Sequence, residues 1–127
     1  MSPKKMMSKN FSEDEMKCPC CGVLPKQELV NALQILRDRI GRPMTINSAM
    51  RCAKHNAAVG GVPNSQHTQG IAADVAARNG LEKYQLVDEA IRAGFHGIGV
   101  AETFVHLDLR VAPGVLFTYG SNGRTGE

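Results

Sequence analysis

Ser65-Gln66-His67-Thr68-Gln69-Gly70-Ile71-Ala72-Ala73-Asp74-Val75-Ala76 passes from a polar loop into an apolar run that carries one charge. Residues 71–76 are apolar except for Asp74 and predict a buried strand. A carboxylate in such a strand costs free energy unless it is paired, hydrogen-bonded or bound to a cation. His67 lies near the end of the polar loop. Gly70 lets the backbone turn without a side-chain clash, so the loop can bring His67 toward Asp74. Taken singly, Asp74 reads as half of a salt bridge or as a cap, and His67 as a surface loop histidine.

Working outward, Phe104-Val105-His106-Leu107-Asp108-Leu109-Arg110 alternates strictly. Val105, Leu107 and Leu109 face one way, toward the core, and His106, Asp108 and Arg110 share the opposite face. A polar strand face usually meets solvent. Next to a strand carrying Asp74, the same face becomes the floor of a cleft and adds His106 to the pair. Two His and one carboxylate are a common zinc ligand set. Three protein ligands leave a fourth position for water, which marks a catalytic site rather than a structural one.

The rest of the chain supplies a frame. Ser12 and Glu15 have capping-box spacing and predict a short helical turn. Lys26 to Ile40 places Leu29, Leu33, Leu36 and Ile40 on one helical stripe, with Gly41 and Pro43 ending it. Met44 to Ser48 suits a strand and Arg51 to Val59 a short helix. A turn-rich loop follows from Gly60 to Gln69. Leu81 to Ala93 predicts a second amphipathic helix with Tyr84, Val87 and Ile91 on one side. Gly97–Val100 and Phe104–Arg110 predict a hairpin around Ala101-Glu102-Thr103, and Val115–Tyr119 a further strand. Helices separated from clustered strands indicate an α+β fold, a small antiparallel sheet flanked by helices.

Bulk properties bound the function. The 127 residues fit one domain, read as a flexible tail over 1–10, a folded domain over 11–119 and a C-terminal tail over 120–127. A net charge of +3 without a basic helix argues against nucleic-acid binding. No stretch approaches the roughly 20 apolar residues that span a bilayer. Residues 1–10 hold no apolar core of signal-peptide length, so synthesis and folding in the cytoplasm are expected. There Cys18, Cys20, Cys21 and Cys52 are expected as thiols rather than a disulfide framework. The preferred reading of Cys18-Pro19-Cys20-Cys21-Gly22 is a tight turn with partly buried thiols. A disulfide to Cys52 and a second metal are the alternatives, and a redox motif is disfavoured because no βαβ pattern adjoins it.

Ser65-x-His67-x-x-Gly70-x-Ala72-x-Asp74, followed later by His106, resembles the zinc D-alanyl-D-alanine peptidases, which share their fold with the hedgehog signalling domain. The likeness extends through Cys20-Cys21-Gly22, Leu33-Gln34, Ser48-Ala49-Met50-Arg51, His55-Asn56, Val59-Gly60-Gly61 and Phe104-Val105-His106-Leu107-Asp108. It is strongest with the small single-domain branch found in phages and prophages. The resemblance implies zinc held by His67, Asp74 and His106, with Arg51 lining the cleft as a carboxylate clamp or oxyanion donor. Ser65 is expected either to support the ligands through a hydrogen bond or to shape the loop. The general base is open. Several family members place an acid three residues before the last His, where this chain has Thr103. Glu102, in the hairpin turn, is the first candidate and Asp108 the rival, with an orienting role or a pairing to Arg110 also open to Asp108. His96 is a distant third; it and His55 read as solvated or capping histidines. Implied substrates are peptidoglycan stem or cross-link peptides, which a mildly basic surface suits. A lysis enzyme released by a holin, or one carried on a virion, fits these expectations. A non-catalytic zinc module and a phage structural protein are the rivals.

Overall fold

The computed structural model describes residues 5–61 and 65–119; residues 1–4, residues 62–64 of the long loop and the expected tail 120–127 lie outside the described residues. In chain order the elements are α1 (Glu13–Met16), α2 (Gln27–Ile40), β1 (Ile46–Ser48), α3 (Ala53–Ala58), β2 (Ala72–Ala76), α4 (Gly80–Ala93), β3 (Gly97–Val100), β4 (Phe104–Asp108) and β5 (Val115–Thr118).

Helix α1 starts with the expected capping box: Ser12 accepts from the Glu15 backbone, and the Glu15 carboxylate accepts from the Ser12 backbone. Helix α2 buries Leu29, Leu33 and Leu36 as the stripe predicts, together with Val30 and Ala32. Each fully buried Leu stabilises the fold by about 1.5–3 kcal/mol relative to exposure. Gly41 ends the helix in the left-handed region at φ 74° and donates to the Arg37 carbonyl.

In α4 the expected stripe is displaced. Leu86 and Ala90 face the core, Val87 lies at its edge, and Tyr84 and Ile91 are exposed at 72% and 60%. At about 100° per residue, two interleaved stripes of the same spacing are available. The one with the smaller side chains fits against α2 and the sheet.

The strands form one sheet in the order β1-β2-β4-β3-β5. The first four pair antiparallel, and β5 joins β3 in parallel. The sheet is therefore mixed rather than wholly antiparallel, because the chain crosses from β4 past β3 before pairing. Residues 5–10, read as part of a tail, fold back onto α1 and α2. Met6 bridges Ser12, and Ser8 and Asn10 bond the Gln34 side chain, a partner 24 or more residues away that local sequence cannot reveal.

One face of the sheet packs against α2 and α4 through Ala73, Val75, Ile98, Val105 and Leu107. The opposite face carries Asp74, His106 and Asp108, in register: Asp74 pairs with His106, His106 with Gly99, and Asp108 with Gly97.

Candidate metal centre

Asp74 and His106 are cross-strand neighbours in the β2–β4 ladder, so backbone hydrogen bonds fix their spacing. His67 arrives from a turn that Ser65 organises. The Ser65 hydroxyl accepts from the His67 backbone at 3.1 Å, and the Ser65 carbonyl accepts from the Thr68 hydroxyl at 2.6 Å. Ser65 thus acts on the backbone of His67 and not on its ring. Gly70 sits at φ 76° and closes the turn by donating to the His67 carbonyl, at the point where the chain enters β2.

The three expected donors converge. Asp74 Oδ1 is 3.2 Å from His67 Nε2 and 3.1 Å from His106 Nδ1. His67 and His106 are almost fully buried, and Asp74 is 13% exposed. The outer nitrogen of each ring is already engaged. His67 Nδ1 donates to the Ala49 carbonyl at 2.7 Å, and His106 Nε2 donates to Asp108 Oδ2 at 2.7 Å. In a neutral ring this turns the inner lone pair toward Asp74 Oδ1. Two imidazole lone pairs and a carboxylate oxygen then face one another, an arrangement that calls for a cation between them.

The spacing fits zinc. Ligands about 2.0–2.1 Å from a tetrahedral ion stand about 3.3 Å apart, close to both observed distances. Outer hydrogen bonds of this kind fix the tautomer and orientation of metal-bound imidazoles.

Where no ion is bound, a proton on His106 takes its place. Burial pushes the His106 imidazole down, but the Asp108 and Asp74 carboxylates outweigh it and raise it to about 9. Burial pushes Asp74 up, and hydrogen bonds from His106 and His67 more than reverse this, holding it well below the usual carboxylate range.

Asp108 is fully buried. Its Oδ1 accepts from the Arg110 backbone at 3.0 Å and from Arg110 Nε at 2.9 Å, while Oδ2 accepts from an Arg110 terminal nitrogen at 2.8 Å as well as from His106. Burial raises its pKa, and these His106 and Arg110 bonds bring it below the ordinary range. Space for this carboxylate exists because position 97 is glycine: a Cβ there would collide with the Asp108 oxygens. At Gly99 a Cβ would strike the Phe117 ring, which lies 5.5 Å from the His106 ring. Sequence reasoning passed over both glycines and Phe117. The available signal was Gly97-x-Gly99 inside an apolar strand, a pattern of close approach.

Arg51 follows β1, and its backbone donates to the His67 carbonyl at 3.3 Å. Burial lowers the pKa of its guanidinium, with Asp74 and Tyr119 pulling the other way. Its Nε is buried without a hydrogen-bond partner among the described residues. Glu102 lies in the β3–β4 turn, exposed, and makes no hydrogen bond or ion pair among the described residues. Of the other histidines, His96 is exposed with Nδ1 3.1 Å from the Arg110 carbonyl, and neither it nor His55 belongs to the cluster of donors.

The model of the Peptidase M15 family matches residues 8–108, which include all three donors and Asp108. No curated protein matches the sequence.

Proposed function

The chain belongs to the Peptidase M15 family of metallopeptidases, and on that premise we propose that it hydrolyses peptidoglycan peptides, as a D-alanyl carboxypeptidase or a cross-link or stem endopeptidase. The observation that carries the reading is the convergence of His67 Nε2, Asp74 Oδ1 and His106 Nδ1, each imidazole oriented by a bond from its outer nitrogen.

His67, Asp74 and His106 would hold zinc, which supplies a Lewis acid that polarises the scissile carbonyl and acidifies water. Arg51 binds substrate. Its half-buried guanidinium feels the charge of Asp74 and offers its donors to a peptide carboxylate or a developing oxyanion. Asp108 acts as a positioning residue for His106. Both of its oxygens are occupied, which leaves it no free edge for a proton from substrate. Glu102 is therefore the acid we assign as general base: it is unengaged, and its turn leads directly into β4. Ser65 holds the His67 turn. We place the action at the bacterial cell wall, in a phage or prophage lysis role reached through a holin or on a virion.

One observation favours a competing reading, a zinc module without turnover: among the described residues, no hydrogen bond or ion pair pre-positions Glu102. Purified wall material and synthetic stem peptides ending in D-alanyl-D-alanine separate the two. Release of D-alanine or of cleaved cross-links, abolished by chelation and restored by zinc, is expected. Zinc-loaded protein that is inert on both substrates would establish the binding module.

A further inference from the structure

Apart from the His67–Asp74–His106 cluster, the fold gathers three cysteines. The sulfurs of Cys18, Cys21 and Cys52 lie within 4.8 Å of one another. Cys20 lies exposed between Cys18 and Cys21 in the same turn. We infer that Cys18, Cys21 and Cys52 form a second metal site, structural and thiolate-based, suited to zinc, with the neighbouring Cys20 as its fourth ligand.

Three features support it. Cys18-Pro19-Cys20-Cys21 carries C-x-x-C spacing, which lets a single turn place two sulfurs on one ion. That turn is closed by Cys18 donating to the Val23 carbonyl and Gly22 to the Cys18 carbonyl, both at 2.8 Å. Backbone N–H groups also aim at sulfur. Cys52 donates to Cys18 Sγ at 3.4 Å, and His55 donates to Cys52 Sγ at 3.4 Å. Such donors stabilise thiolates, the form that binds metal.

The absence of a second cysteine pair counts against the site only on sequence spacing. In three dimensions, one turn contributes the sulfurs of Cys18 and Cys21, and Cys52 joins them from 34 residues beyond Cys18. A disulfide would join one pair and leave two thiols over, whereas a tetrahedral ion engages all four. Such an ion would clip the segment after α1 to the segment that carries Arg51, which directly precedes Cys52, and so position Arg51 without touching substrate.

Cobalt is the probe, because thiolate ligands give cobalt(II) a near-ultraviolet charge-transfer band that His and Asp ligands do not. The full chain, purified under reducing conditions and loaded with cobalt, is expected to bind two equivalents per chain and show this band. His67→Ala is expected to drop to one equivalent and keep the band; the double substitution Cys21→Ser, Cys52→Ser is expected to drop to one and lose it. Wild-type protein that takes up one equivalent without the band overturns the cysteine site and leaves the His67–Asp74–His106 centre standing. A mass short by two hydrogens, with Cys52 found in a disulfide after non-reducing digestion, overturns it as well.

Discussion

Gly97→Ala adds one methyl group and is expected to destabilise the protein, while the same change at Gly80 is expected to do the reverse. At Gly97 the new Cβ would overlap the Asp108 carboxylate, which is fully buried and held from four directions. Gly97 and Asp108 are also direct partners in the β3–β4 ladder, so the backbones cannot separate without breaking it. Overpacking of this kind costs about 1–3 kcal/mol. For a chain of this size that is a fall in Tm of roughly 4–11 °C. Displacing Asp108 also releases His106 Nε2, and loss of such an orienting partner weakens metal binding by about 10–100-fold. Gly80 is the first residue of α4, and its Cβ would meet nothing within 4 Å. There Ala restricts the unfolded chain and is expected to add about 0.4–1 kcal/mol. The assays are thermal unfolding of the chelated proteins and zinc competition against a chromophoric chelator at one pH. A Gly97→Ala protein that melts with wild type and holds zinc equally well would refute the role given to Asp108.

Glu102→Gln is expected to lower kcat by about 10²–10⁴-fold with zinc stoichiometry unchanged; an unaltered kcat removes Glu102 from the mechanism. Arg51→Lys keeps the charge but loses the planar fork of donors, so kcat/KM on carboxylate-bearing peptides is expected to fall about 10–100-fold, the loss of one charged hydrogen bond; equal rates would show that the guanidinium is idle. In chelated protein the pKa of His106 is raised from 6.5 to about 9. Its stabilising contribution is therefore complete below pH 6.5 and lost as pH rises through about 9. Denaturant midpoints of EDTA-treated protein are expected to drop across that window, and a midpoint that climbs there would contradict the His106 environment.

How much of this was legible in sequence depended on the range of the interactions. The capping box of α1, the α2 stripe and the alternation of β4 are local patterns, and each produced the element it predicts. The identity of the three donors was legible because a buried-looking Asp and two polar exceptions are anomalies that local pattern exposes. The face of α4 was not, since two helical stripes share one spacing and only the partner surface chooses between them. The parallel pairing of β5, the Gln34 anchor of residues 5–10 and the meeting of Cys52 with the Cys18 turn are long-range events that leave no local trace. The fate of Asp108 was left between two roles because the deciding facts, an Arg two residues on and a glycine across the ladder, act only in three dimensions.

The direct pairing of Asp74 with His106 reaches beyond the finished site into how the chain finds its fold. Side chains alternate along a strand, so slipping β2 by one residue against β4 would rotate the carboxylate into the hydrocarbon interior and offer Val75 or Ala73 to the imidazole. An ion that rewards only the native pairing serves as a proofreader of strand alignment, and the sheet should anneal with fewer errors when the metal is there during folding than when it is added afterwards.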